Sequence, residues 1–160
     1  MRDYGARGNA GAQKARSGSA EIIQRRKPEA REFTHQITYF VLESLDALRK
    51  NGRLSRVKAL VATALKIKPV MQSTQEGNIC QIDQAHGINR ALLRMVEHIA
   101  ENTKNAESRT LAISHCNCLR RAQMLGEALK ERIHPKKIII LDTAGVSSLY
   151  ASDGGVIVVV

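Results

Sequence analysis

Tryptophan is absent from this 160-residue chain and aromatic residues make up only 3% of it. A core of stacked rings is therefore excluded, and so is the row of aromatic platforms on which single-strand binders hold bases. Cysteines number three, an odd count that makes no disulfide framework. No stretch of about 20 apolar residues and no secretory leader pattern occurs. The expectation is a reduced, cytoplasmic protein. Cys116-x-Cys118 follows His115 but lacks a second pair at metal-ligand spacing, so the thiols read as neutral or buried side chains and no metal site is expected. Phosphate-binding loops, nucleophile elbows and dinucleotide fingerprints are missing as well, since Gly145 and Gly154-Gly155 satisfy none of these patterns. Catalysis is not expected, nor is a cofactor.

Positive charge is abundant. The chain carries 25 Lys and Arg against 15 Asp and Glu, a net +10. Much of the excess falls between residues 45 and 68, where Arg49, Lys50, Arg53, Arg56, Lys58, Lys66 and Lys68 face a single acid, Asp46. Such a cluster is either a solvated helical face or a docking surface for an acidic partner. Residues 1–19 hold four glycines and no Val, Ile, Leu or Phe. They bury too little apolar area to offset the entropy of ordering, so a disordered basic arm is expected there, with a folded unit over 20–160.

Ser19 is a candidate cap for a helix from Ala20 to about Arg26. Gln36 to Glu43, with the β-branched and aromatic residues Ile37, Thr38, Tyr39, Phe40 and Val41, predicts a strand, and Ser44 a cap for a short helix ended by Asn51-Gly52. Leu54, Val57, Val61, Ala64 and Leu65 form one helical stripe, after which Pro69 turns the chain into a strand. Residues 70–73 and 78–83 read as a hairpin. Ile88, Leu92, Met95, Val96 and Ile99 mark the longest helix. A strand over 109–116, an N-cap at Asn117, a helical face at Leu119, Ala122, Leu125 and Leu129, and apolar strands at 137–142 and 156–160 complete the pattern. Strands alternating with helices predict an α/β layer architecture.

The run Thr38-Tyr-Phe-Val-Leu-Glu-Ser-Leu-Asp-Ala-Leu-Arg-Lys-Asn-Gly-Arg-Leu-Ser55, followed by Ile67-Lys-Pro-Val70, resembles a pattern of the DegV family of fatty-acid-binding proteins. In that family T-Y-F-V-x-x-x-L-x-x-L-x-K-x-G-R-I-S precedes I-K-P-I-L at the start of the C-terminal lobe. The resemblance covers roughly residues 20–160 and implies a mixed sheet flanked by helices, the second lobe of a two-lobed fold. It also implies a function: holding a long-chain fatty acid and presenting it to a fatty acid kinase for acyl-phosphate formation. No segment before Thr38 matches the family's first lobe, so a truncated form with impaired binding, and self-association through an exposed lobe interface, are expectations too.

Carried over position by position, the resemblance puts Ala62, Leu65, Ile67, Val70 and Met71 along the lipid tail, residues any core would also use. Family members close with a segment like G-P-V-I-G-x-H-A-G-P-G, and Tyr150 stands where its histidine would be. A tyrosine hydroxyl donates one hydrogen bond to a carboxylate but brings no positive charge. Ser147, Ser148 and Ser152 are further candidate donors, within what otherwise reads as a polar loop. His86 takes the place of a family arginine just ahead of the long helix and is a candidate headgroup contact. Arg49, Lys50 and Arg53 are candidates for docking the kinase. Two other readings stand beside this one: a small basic nucleic-acid-binding protein, whose affinity would fall steeply with salt, and a nonfunctional fragment.

Overall fold

Two helical faces and six strands of alternating or continuous apolar character give the chain its layers. A computed structural model describes residues 36–52, 66–74 and 76–160, all within one compact unit, Gln36–Val160. The expected basic arm, the helix after Ser19, the stripe from Leu54 to Leu65, and with them Arg53, Ala62 and Leu65, lie outside the described residues. In chain order the elements are β1 (Thr38–Val41), α1 (Asp46–Lys50), β2 (Ile67–Ser73), β3 (Ile79–His86), α2 (Ile88–Asn102), β4 (Thr110–His115), α3 (Leu119–Ile133), β5 (Lys137–Asp142), α4 (Val146–Ala151) and β6 (Val156–Val159). The strands form one mixed sheet in the order β3-β2-β1-β6-β4-β5. Among the described residues only β4 and β5 pair in parallel, as the helical crossover through α3 between them requires. The remaining neighbours are antiparallel, so β1, β3, β4 and β5 all point one way.

Alternation assigns each strand residue to a face. Tyr39, Val41, Val70, Leu111, Ile113, Val156 and Val158 point to the face covered by α2 and α3, where they meet Ala91, Leu92, Met95, Val96, Ile99, Ala122, Leu125 and Leu129. This is the main core, and it is aliphatic as the composition demands. Each fully buried Leu, Ile or Met contributes roughly 2 kcal/mol. Gly126, inside α3, sits on it: a methyl group there would meet Ile113 Cδ1 at 3.5 Å and Ile140 Cδ1 at 3.6 Å, ordinary contact distances. Gly126→Ala is accordingly expected to stabilise the protein by about 0.5–1 kcal/mol, read as a rise in the denaturation midpoint.

Asp83 ties β3 to α2. Its carboxylate accepts from the Gln84 N–H at 2.7 Å and lies 3.2 Å from His98 Nε2 and 3.9 Å from Arg94 Nε. Burial pushes its pKa upward, but the Gln84 N–H, His98 and Arg94 together outweigh that, and it sits below the usual aspartate value. A depressed folded-state pKa means stabilisation that is complete above the unfolded-state value and lost as pH falls through the folded one. Asp83→Asn should therefore lower the urea midpoint at pH 6, with the gap between variant and wild type narrowing as pH falls below the usual aspartate range.

Local details depart from the sequence reading in three places. The N-cap of α3 is Cys118, not Asn117. Asn117 adopts left-handed backbone, and its amide donates instead to Asp153 Oδ1 at 3.0 Å, across 36 residues. Helix α1 starts at Asp46, with Leu45 at its N-cap, while Ser44 Oγ accepts from the Asp46 N–H at 3.1 Å. The segment read as a polar loop contains a helix, α4, which carries Ser147, Ser148 and Tyr150.

Candidate functional site

The opposite face of the sheet is built differently. Phe40, Leu42 and Met71 are buried there beneath Leu48 of α1 and Ala151 of α4, with Tyr150, Cys116, Ile79 and Ile157 packed around them. Beyond β1 the cover thins. Strand register aligns Met71, Phe40, Ile157, Ser114 and Leu141 in one row across five strands, and Thr38, Val159, Ala112 and Ile139 in the next. Along the first row exposure rises from 0% at Met71 and 8% at Phe40, through half-buried Ile157 and Ser114, to 51% at Leu141. Five strands spaced about 4.8 Å apart make this strip about 19 Å long, the scale of a long acyl chain.

At the carboxyl ends of β4 and β5 the strip turns polar. Thr143 continues the alternation of Ile139 and Leu141, its N–H donating to the His115 carbonyl at 2.8 Å. Its hydroxyl accepts from Ser148 Oγ at 2.9 Å. Tyr150 stands half-buried two residues further along α4, and Ser147 is exposed. The outer side of α4 is apolar, with Val146 and Leu149 exposed. Two hydroxyls, of Thr143 and Ser148, thus meet at the end of an apolar strip, and with Ser148 donating to Thr143 the Thr143 hydroxyl is left to donate to an anionic oxygen above a hydrocarbon tail. Thr143 and Ser114 were missed in the sequence, although the two-residue alternation through Ile139, Leu141 and Thr143 carries the signal.

The other expected residues fall as follows. Val70 points into the main core under α2 and Met71 into the strip, as neighbours on one strand must. Ile67 is half-buried at the start of β2, paired with His86. His86 is exposed at the end of edge strand β3, with β2 and β1 between it and β6. Arg49 is engaged with Asp46 at 3.0 Å, and Lys50 is exposed. Lys68 is drawn inward to Glu43 at 2.8 Å, and Glu43 also holds Arg121 at 3.2 Å. Arg121 further donates to the Gly154 carbonyl, so the Glu43 carboxylate stitches β1, β2, α3 and the loop before β6 together at one rim of the sheet. Burial raises the pKa of Cys118 in the same region despite the nearby Arg121, which leaves its thiol protonated near neutral pH. Among the described residues no group of three metal-ligating side chains is gathered, and no helix is long and apolar enough to cross a membrane.

A family model described as "Uncharacterised protein, DegV family" matches residues 13–160. A DegV domain-containing protein of Clostridium perfringens is 30% identical over 108 residues, 68% of this chain and 37% of that protein. Among solved structures, a DegV-family protein from Ruminococcus gnavus with vaccenic acid superposes with a TM-score of 0.78 at 45% identity, over 92% of this chain and 52% of the other. The Streptococcus pneumoniae fatty acid kinase (Fak) B3 protein loaded with linoleic acid superposes with a TM-score of 0.67 at 28% identity, covering 78% of this chain and 43% of that one. The chain thus spans about 40% of the length of that curated relative and about half of the solved ones.

Proposed function

Because the chain belongs to the DegV family by its match over residues 13–160, we propose that it binds a long-chain fatty acid and presents the carboxylate to a fatty acid kinase. The observation that carries this reading is the half-covered row from Met71 to Leu141, bordered at one rim by the hydrogen-bonded hydroxyls of Thr143 and Ser148. The tail lies along the row, where each methylene removed from water is worth about 0.8 kcal/mol. The carboxylate rests at the rim and faces outward, where a kinase's nucleotide reaches it. Acyl-phosphate formation then belongs to the partner, and this chain supplies position only. The vaccenic and linoleic acids bound by the two relatives support the same ligand class. A nucleic-acid role is favoured by no feature of the site, since Lys68, Arg121 and Arg49 are each engaged by a carboxylate.

Native mass spectrometry before and after exposure to a mixture of long-chain fatty acids tests the proposal. One stoichiometric acyl adduct is expected. A folded protein that takes up none removes lipid carriage from this chain.

A further inference from the structure

The sheet has two edges, and they are treated differently. On β3 the register shifts at Ile82, since Gln81 pairs with Met71 and Asp83 with Val70 of β2, and the strand ends in Asp83, Gln84 and His86. A bulge and polar side chains are what keep an edge from pairing with another strand. Strand β5 has neither defence along its middle. Its register with β4 is unbroken over six residues, four of them are consecutive and apolar (Ile138, Ile139, Ile140, Leu141), and its outer backbone groups meet no strand among the described residues. Charge sits only at the ends, with Lys136 and Lys137 at one and, at the other, Asp142, whose carboxylate lies 3.4 Å from His115 Nδ1 yet is 84% exposed and open to a second partner.

A strand that is cationic at one end and anionic at the other is complementary to itself when reversed. We propose that β5 is a homotypic interface, through which two copies of this chain join antiparallel into a continuous twelve-stranded sheet. The register follows from geometry. A two-fold axis perpendicular to the sheet keeps each face on its own side, so opposed residues share a face and the axis passes through a single residue. An axis at Ile140 sets the Asp142 carboxylate against Ile138 of the second copy. An axis at Ile139 sets Ile138 against Ile140, extends the apolar strip from Ile139 to its own equivalent, and brings Lys136 opposite Asp142, twice by symmetry. The second register is the one the charges select.

An independent feature lies at the same edge. A cleft of about 310 Å³ opens beneath α3, lined among others by Gln123, Glu127, Lys130 and Lys136. In the paired arrangement the α3 helices of the two copies approach antiparallel over these clefts.

Sedimentation equilibrium on the intact chain is the test. A reversible species of twice the 17.6 kDa chain mass is expected. Ile139→Lys and Ile139→Glu each place like charges on the axis and should each weaken association at least about tenfold. Mixing the two variants in equal amounts should restore it, because lysine then meets glutamate. A wild-type protein that stays monomeric up to about 100 μM, or a dimer indifferent to both variants, overturns the proposal. Hydrogen exchange on the wild type decides independently of how the variants fold: the β5 amides should slow as protein concentration rises, and rates independent of concentration overturn it too.

Discussion

Gly155→Ala is expected to destabilise the protein by about 3 kcal/mol, a fall in melting temperature of roughly 10 °C. A methyl group at this position would overlap the Ala151 carbonyl oxygen and stand 2.9 Å from its carbon and 3.0 Å from Leu42 Cδ2. The obstacle is backbone, which cannot rotate away as a side chain does. Gly155 is also committed on other sides: its N–H donates to the Ser152 carbonyl at 3.2 Å, and its carbonyl accepts from the Cys116 N–H at 3.0 Å. Relief requires lifting the end of α4 from the sheet, and α4 carries Ser148 and Tyr150. The variant should therefore lose acyl binding along with stability. A melting temperature within about 2 °C of wild type, measured by calorimetry, would show that α4 is not clamped at this point.

Ile157→Asp is expected to abolish the acyl adduct while leaving the fold intact. Ile157 lies half-buried in the middle of the five-strand row, between Phe40 and Ser114. A carboxylate there has water available in the free protein but none beneath a bound acyl chain. Burying it unpaired costs about 3 kcal/mol or more, a loss of at least about a hundredfold in affinity. Val158→Asp provides the contrast, because Val158 is wholly buried in the main core and its carboxylate would have to be buried in every folded molecule. The first variant should keep its far-ultraviolet spectrum and lose the ligand, and the second should lose both. Retained adduct formation by Ile157→Asp would move the tail off this row.

Much of the fold was legible because its signals are periodic. The apolar spacing of α2 and α3 and the short apolar runs of β5 and β6 survive any local irregularity, and each emerged within a few residues of its expected bounds. Helix α4 did not announce itself. Val146-Ser-Ser-Leu-Tyr-Ala151 is six residues long, has poor helix formers at its start, and follows Gly145 in left-handed backbone, so nothing local distinguishes it from a turn. What holds it is tertiary, the packing of Ala151 and Tyr150 against Phe40, Leu42 and Met71. Asn117 failed as a cap for a related reason: its side chain is claimed by Asp153, a residue remote in sequence. In the site, the family resemblance pointed to Tyr150 and to Met71, but the row that links them depends on register across five strands, which no single segment of sequence contains.

The two 15-residue helices α2 and α3 both run back from strands that point the same way, so they lie parallel. In most helical pairs joined by short turns the axes oppose and their electric moments cancel; here they add. Each contributes about half a positive charge at its first turn, and both first turns stand at the rim where β4 and β5 end. The described unit therefore carries two positive helix ends at one rim of the sheet, and an anion resting within a turn of either is favoured there without any charged side chain.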